Sequence, residues 1–229
     1  MSDPFLNRRA EPLFLVPWPV PAFAGTFVAI HALVSLVPIY WKGWIYQTFS
    51  LVPTKFLLDQ ADVVALAFAN LLTHGFLHYD WLHVAFNVAF LLAAGGPVMR
   101  NCGAVRMWLL FAVCVIAGGV LHVAVYWNEP ATVIGASGGV GGLLAAALRY
   151  RTRKLSQGEI VAPITRGPVA SFALFWLGLN LAFFLWEKIG GSPLGGIATM
   201  AHIGGFLAGL FLAPVMVRGA RAQSWPRRT

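Results

Sequence analysis

The run VIGASGGVGGLLAAALRY, residues 133–150, holds one serine, Ser137, among glycines and apolar residues. Six histidines lie elsewhere in the chain: His31, His74, His78, His83, His122 and His202. A hydroxyl and an imidazole are the parts of nucleophilic catalysis when the imidazole takes the hydroxyl proton as oxygen attacks a carbonyl. His202 stands at the head of MAHIGGFLAGL and shares a helix face with Gly205 and Gly209, three and seven residues on. Ser137, Gly141 and Ala145 form one stripe of their own segment, with Gly138 and Gly142 beside it. Glycine inside a helix costs about 1 kcal/mol against alanine, so crowding it there calls for a return. Small faces let two backbones approach closely. Two such helices would bring Ser137 within reach of His202. The same pattern also reads as helix packing alone, with Ser137 a neutral small residue, and spacing does not separate the two. Gly135, Gly138, Gly141, Gly142, Gly205 and Gly209 are the expected close-approach positions in either case.

His83 and Asn87 are four apart and share a face. They read either as helix-to-helix hydrogen bonding or as a functional pair, since polar groups inside spans are costly. His74 and His78, also four apart, read as structural groups that hold the segment before the span. A metal or haem centre is disfavoured despite the imidazoles: there is no HExxH pattern and no inward carboxylate. No metal and no cofactor are expected. Cys102 and Cys114 imply neither a disulfide framework nor a zinc site.

These residues need elements to position them, and composition says which. The chain has 229 residues, 59% hydrophobic and 10% charged, where a soluble domain carries about a quarter charged residues. Apolar stretches run at 21–41, 81–99, 105–127, 136–150, 168–187 and 197–217. A bilayer core of about 30 Å takes roughly 20 residues of helix. Five stretches fit; the fourth, carrying Ser137, is short and is not expected to cross alone. The fold class expected is an all-α membrane protein of six transmembrane helices with a long interfacial first loop. That loop, 42–80, contains Trp44, Tyr46, Phe49, Phe56 and Tyr79, and such aromatics favour the headgroup layer. Residues 1–20, rich in proline and carrying Asp3 and Glu11, read as an N-terminal arm and not as a signal peptide. Residues 21–217 read as one membrane domain and 218–229 as a basic tail.

Charge placement sets the expected topology. All but Lys42, Lys55 and Lys188 of the 16 lysines and arginines fall on the side that holds both termini. By the positive-inside rule that side is cytoplasmic. The net charge of +8 is then a topology signal with some attraction to anionic lipid. Nucleic acid is not an expected partner, because the cations border spans and form no aromatic-laced patch. A transporter finds no support in a visible inverted repeat.

Three segments together resemble the rhomboid intramembrane serine proteases. GASG at 135–138 resembles the family's Gly-x-Ser-Gly nucleophile motif. AHIGGFLAG at 201–209 resembles its last-helix motif, and HGFLHYDWLHVAFN at 74–87 its second-helix motif ending in His-x-x-x-Asn. The motifs stand in family order, and the resemblance covers about residues 20–217. Two positions depart from it: no arginine follows Trp41 and Trp44 in the first loop, and Met99 stands where the family often has glutamate.

The resemblance implies hydrolysis of peptide bonds in or near transmembrane segments of other membrane proteins. Ser137 would be the nucleophile and His202 the general base, a dyad, since no acidic residue lies near them within a span. The Ser137 backbone N–H with the side chains of His83 and Asn87 would stabilise the oxyanion. His122 would line the cavity or bond a neighbouring helix. Phe175 and Trp176 of the fifth span would filter sideways entry or face lipid. Residues 128–134 would dip into the membrane and leave a water-filled cavity above Ser137. The implied setting is a bacterial inner membrane, with transmembrane proteins and lipid as partners. The alternative is an inactive rhomboid-like scaffold that binds membrane-protein clients without cutting them.

Overall fold

The computed structural model describes residues 16–150, 161, 164–165, 167–190 and 198–217. The greater part of the expected N-terminal arm, most of the basic loop after residue 150 and the basic tail lie outside these residues. The described residues form α1 (Pro19–Leu36), α2 (Ile39–Phe49), α3 (Ala61–Thr73), α4 (Trp81–Cys102), α5 (Ala104–Val125), α6 (Ser137–Tyr150), α7 (Gly167–Ile189) and α8 (Thr199–Val217). Short 3-10 turns occupy Pro53–Leu57 and His74–Phe76.

Five helices are long and apolar enough to cross a membrane: α1, α4, α5, α7 and α8, of 18 to 23 residues. α6 has 14 residues, which at about 1.5 Å each span roughly 21 Å, short of the hydrocarbon core. The first apolar stretch, expected to continue to residue 41, ends at Leu36. Pro38 is the cause: it drives Val37 into extended backbone, and the chain restarts as a separate helix, α2. At the other side, Gly103 (φ 83°) alone joins α4 to α5. A left-handed residue closes the first helix and starts its neighbour there without a Cβ penalty.

α6 is the hub. All its residues but Ser137, Leu144 and Leu148 are buried, and it packs against α4, α5 and α8. Phe111, Cys114, Val140, Leu143 and Ala213 belong to the main core around it. Its C-terminal end is tied to α8 by two bonds. Tyr150 Oη donates to the Ala213 carbonyl at 2.7 Å, and Arg149 Nη1 donates to the Leu210 carbonyl at 2.6 Å. The Leu210 carbonyl lacks its helical partner because Pro214, four residues on, has no N–H. Arg149 satisfies it. α7 stands apart: only Val169, Ala173 and Asn180 are buried along its length.

The segment between α1 and α4 is folded. Asn70 Nδ2 donates to the Ser50 carbonyl at 2.9 Å, and Thr73 Oγ1 to that of Phe49 at 3.1 Å. Tyr46 Oη donates to the His78 carbonyl at 2.6 Å. Leu51 and Val133 exchange backbone hydrogen bonds of 3.1 and 2.9 Å, so this segment covers the irregular approach to α6.

Candidate active site

Ser137 is the first residue of α6, and His202 lies in the first turn of α8. The Ser137 Oγ stands 2.7 Å from His202 Nε2, across 65 residues of chain. What permits this is the glycine seam below. A β-carbon on Gly205 would overlap the backbone of Gly138, and one on Gly209 the backbone of Gly142. One on Gly142 would strike Cys114 of α5 and the Gly205 carbonyl. α5 joins the seam through Gly118, which faces the Ala201 backbone, and Gly204 faces Ala117 and Gly118. Gly118 and Gly204 were not among the expected close-approach positions, although the pairs Gly118-Gly119 and Gly204-Gly205 stand in two apolar spans.

Two of the expected packing glycines do other things. A β-carbon on Gly141 would meet only Trp176 at 3.7 Å and the His202 carbonyl at 4.0 Å, ordinary contact distances, and Gly141 lines the cavity instead. Gly135 precedes the helix at φ 126°, donates its N–H to the His74 carbonyl at 2.9 Å, and lies against the His83 ring. A β-carbon there would come within 2.7 Å of His83 Cε1. The turn into Ser137 therefore needs glycine twice, for its dihedral and for the imidazole beside it.

A cavity of about 380 Å³ opens onto the pair. Ser137 and His202 share it with His83, Asn87, Phe90, Val140 and Trp176. His83 is anchored through its backbone, whose N–H donates to the Asp80 carboxylate at 2.7 Å and so caps α4. Asn87 Nδ2 donates to the His83 carbonyl one turn back at 2.9 Å. Ser137 opens a helix, so the backbone N–H groups of that turn have no intrahelical partner. The site thus gathers a hydroxyl bonded to an imidazole, unpaired backbone donors, an amide and a second imidazole around one enclosed space.

Three expectations meet a different geometry. His122 does not line the cavity: it is buried, with Nε2 bonded to the Ala131 carbonyl at 3.0 Å and its ring stacked on Tyr126. It holds the loop that leads to α6. Phe175 points outward and is 62% exposed, because it is the neighbour of Trp176 and therefore lies about 100° round α7. Trp176 faces inward and stacks on Phe206 of α8. His74, read as structural, is buried and bonds the Asn70 carbonyl through Nδ1 at 2.7 Å.

One residue at the site was absent from the sequence reading. Asn180 of α7 is buried, and its Oδ1 lies 3.0 Å from His202 Nδ1. Its Nδ2 donates to the Trp176 carbonyl at 2.9 Å. The available signal was a lone amide in the apolar run FWLGLNLAFF; a polar group in a span faces the protein interior.

The family model described as the Rhomboid domain matches residues 66–219. The chain is 29% identical over 195 residues to the Rhomboid protease GlpG of Photorhabdus laumondii, covering 83% of this chain and 61% of that protein. It is 26% identical over 215 residues to the Rhomboid protease GlpG of Serratia proteamaculans, covering 91% of this chain and 64% of that one. Rhomboid-related protein 3 of Homo sapiens is 31% identical over 150 residues, 64% of this chain and 36% of the human protein. The chain thus spans less than two thirds of the length of each of these relatives. The matched region takes in the serine, the histidine and every helix of the glycine seam. With an all-helical bundle and five helices able to cross a bilayer, this makes the chain an integral, multi-pass membrane protein that belongs to the rhomboid family.

Proposed function

We propose that this chain is an intramembrane serine endopeptidase that cleaves peptide bonds in or near transmembrane segments of other membrane proteins. The observation that carries the reading is the 2.7 Å contact between Ser137 Oγ and His202 Nε2 at the floor of an enclosed cavity. Ser137 Oγ attacks the substrate carbonyl carbon as its proton passes to His202 Nε2. The carbonyl π pair moves onto oxygen, where the Ser137 backbone N–H, His83 and Asn87 supply donors. Asn87 Nδ2 turns from the His83 carbonyl to do so. The C–N bond then breaks, and the imidazolium returns its proton to the leaving amine. Water, deprotonated by His202, attacks the acyl-Ser137 ester and releases the second product.

The short α6 supports a route for that water. Its first turn lies under the irregular segment 126–136, which the Leu51–Val133 pairing covers. Irregular backbone at membrane depth is tolerated where protein covers it or a water-filled cavity adjoins it. The reading includes six membrane-embedded helices with α6 not spanning fully, both termini in the cytoplasm, and residues 37–80 lying in the interface of a bacterial inner membrane.

The test is covalent labelling by a fluorophosphonate in membranes, paired with cleavage of a single-span model substrate. Labelling at Ser137 that is lost in Ser137→Ala and His202→Ala, with cleavage lost in parallel, is the expected result. Binding of the substrate without labelling or cleavage by the unaltered chain would replace this reading with the non-cutting scaffold.

A further inference from the structure

Asn180 reaches the face of His202 that the serine does not use. Its carboxamide is oriented by its own helix: Nδ2 donates to the Trp176 carbonyl at 2.9 Å, which turns Oδ1 toward the imidazole. An amide oxygen only accepts hydrogen bonds. The 3.0 Å contact therefore requires the proton of the neutral ring to sit on Nδ1. That leaves Nε2, 2.7 Å from the serine oxygen, as the acceptor. A general base needs this tautomer; the other would point an N–H at the hydroxyl that must give up its proton.

We infer that Asn180 is a positioning residue, completing a Ser137–His202–Asn180 relay in which α7 supplies the group that holds the base in its working tautomer and ring orientation. The inference rests on the proposed roles of Ser137 and His202. During attack the proton moves from Ser137 Oγ to His202 Nε2, the Nδ1–H stays on its nitrogen, and Asn180 Oδ1 remains the acceptor of that N–H throughout. Asn180 itself gains and loses nothing. Two further features support a dedicated role. The amide is 4% exposed on the helix with the fewest buried residues among the long spans. Such a group is costly in hydrocarbon unless paired, and its side-chain pairing is with His202. The relay also couples two helices: any displacement of α7 from α8 carries the acceptor away from the base.

The test uses the full chain in proteoliposomes, with a single-span substrate and fluorophosphonate labelling across pH. Asn180→Ala is expected to lower kcat at least about 10-fold, within the roughly 10²- to 10⁴-fold worth of a general base, with KM changed less than about twofold. Asn180→Asp keeps an acceptor at the same place and is expected to recover most of the rate. Its carboxylate stabilises the imidazolium, so the acid limb of the rate profile should move to higher pH. His83, Asp80 and Tyr79 are the other titratable groups around the cavity, and they are unchanged in the comparison. Wild-type kcat and profile in Asn180→Ala would overturn the inference. So would an aspartate variant as slow as the alanine one. If the alanine variant does not fold, the aspartate variant decides alone: an acid limb at its wild-type position counts against the relay. Cleavage that survives Ser137→Ala or His202→Ala would instead sink the underlying function.

Discussion

Gly205 of α8 lies so close to Gly138 of α6 that a β-carbon on it would overlap the Gly138 backbone. Gly138 is the residue after Ser137, and Gly205 is one turn beyond His202. The separation of the two backbones at this point sets the separation of hydroxyl and imidazole above it. Replacement of Gly205 or Gly209 by alanine should therefore push α8 from α6. An overpacked site costs about 1–3 kcal/mol, and contact with backbone leaves no flexible side chain to yield. Both variants should melt lower and lose most fluorophosphonate labelling at Ser137. Gly178→Ala on α7, where nothing lies within 4 Å of the new carbon, should leave melting and labelling as they were.

His83 and Asn87 share the cavity with Ser137, and the turn at Gly135 rests on the His83 ring. Loss of one oxyanion donor costs about 2.7–4 kcal/mol, or 10²- to 10³-fold in kcat. Asn87→Ala should fall in or near that range with little change in KM, measured by steady-state cleavage of a model substrate. Equal losses in kcat and substrate affinity would assign Asn87 to binding instead.

Trp176 and Phe175 are adjacent in sequence and opposite in placement. Trp176 forms a wall of the cavity, while Phe175 is 62% exposed on the outer face of α7. Trp176→Ala should widen the cavity and raise kcat/KM several-fold for substrates with bulky residues near the cut. Phe175→Ala should change it less than twofold. The comparison is made on paired substrates that differ only at those residues.

Acid should weaken the fold through two histidines that precede α4. Burial holds His74 down to about 4, against a lesser opposing pull from its bond to the Asn70 carbonyl. Burial also holds His78 down to about 4, helped by the neighbouring His83 and His31. Each is neutral when folded and takes up a proton more readily when unfolded. Their contribution is complete above about pH 6.5 and is lost progressively as pH falls from there toward 4. The two together are worth a few kcal/mol at most, at about 1.4 kcal/mol per pH unit per group. The midpoint of thermal unfolding should drop over that window. His78→Phe, which suits a site beside Phe27, should flatten the dependence.

Much of this protein was legible before any coordinates. Runs of about 20 apolar residues can only be helices in a bilayer, because every backbone polar group must be satisfied within the segment. That determined four spans nearly to the residue, the shortness of α6, and the small faces of α6 and α8. It did not determine the end of α1, where Pro38 overrides an apolar run, nor which glycines would be in the seam. Gly138 and Gly141 look alike in a stripe of small residues, yet only Gly138 meets another backbone.

What tertiary structure decided was every relationship between helices. Sequence periodicity places a side chain on a face but says nothing about which neighbour that face meets. Hence His122 turned to its loop and Phe175 outward, while Asn180, a single amide 22 residues before His202, came to rest on the second nitrogen of the base. The motifs carry their residue types because the chemistry needs them. The rotation and separation of three packed helices, fixed by which Cβ atoms are missing, decide whether those residues meet.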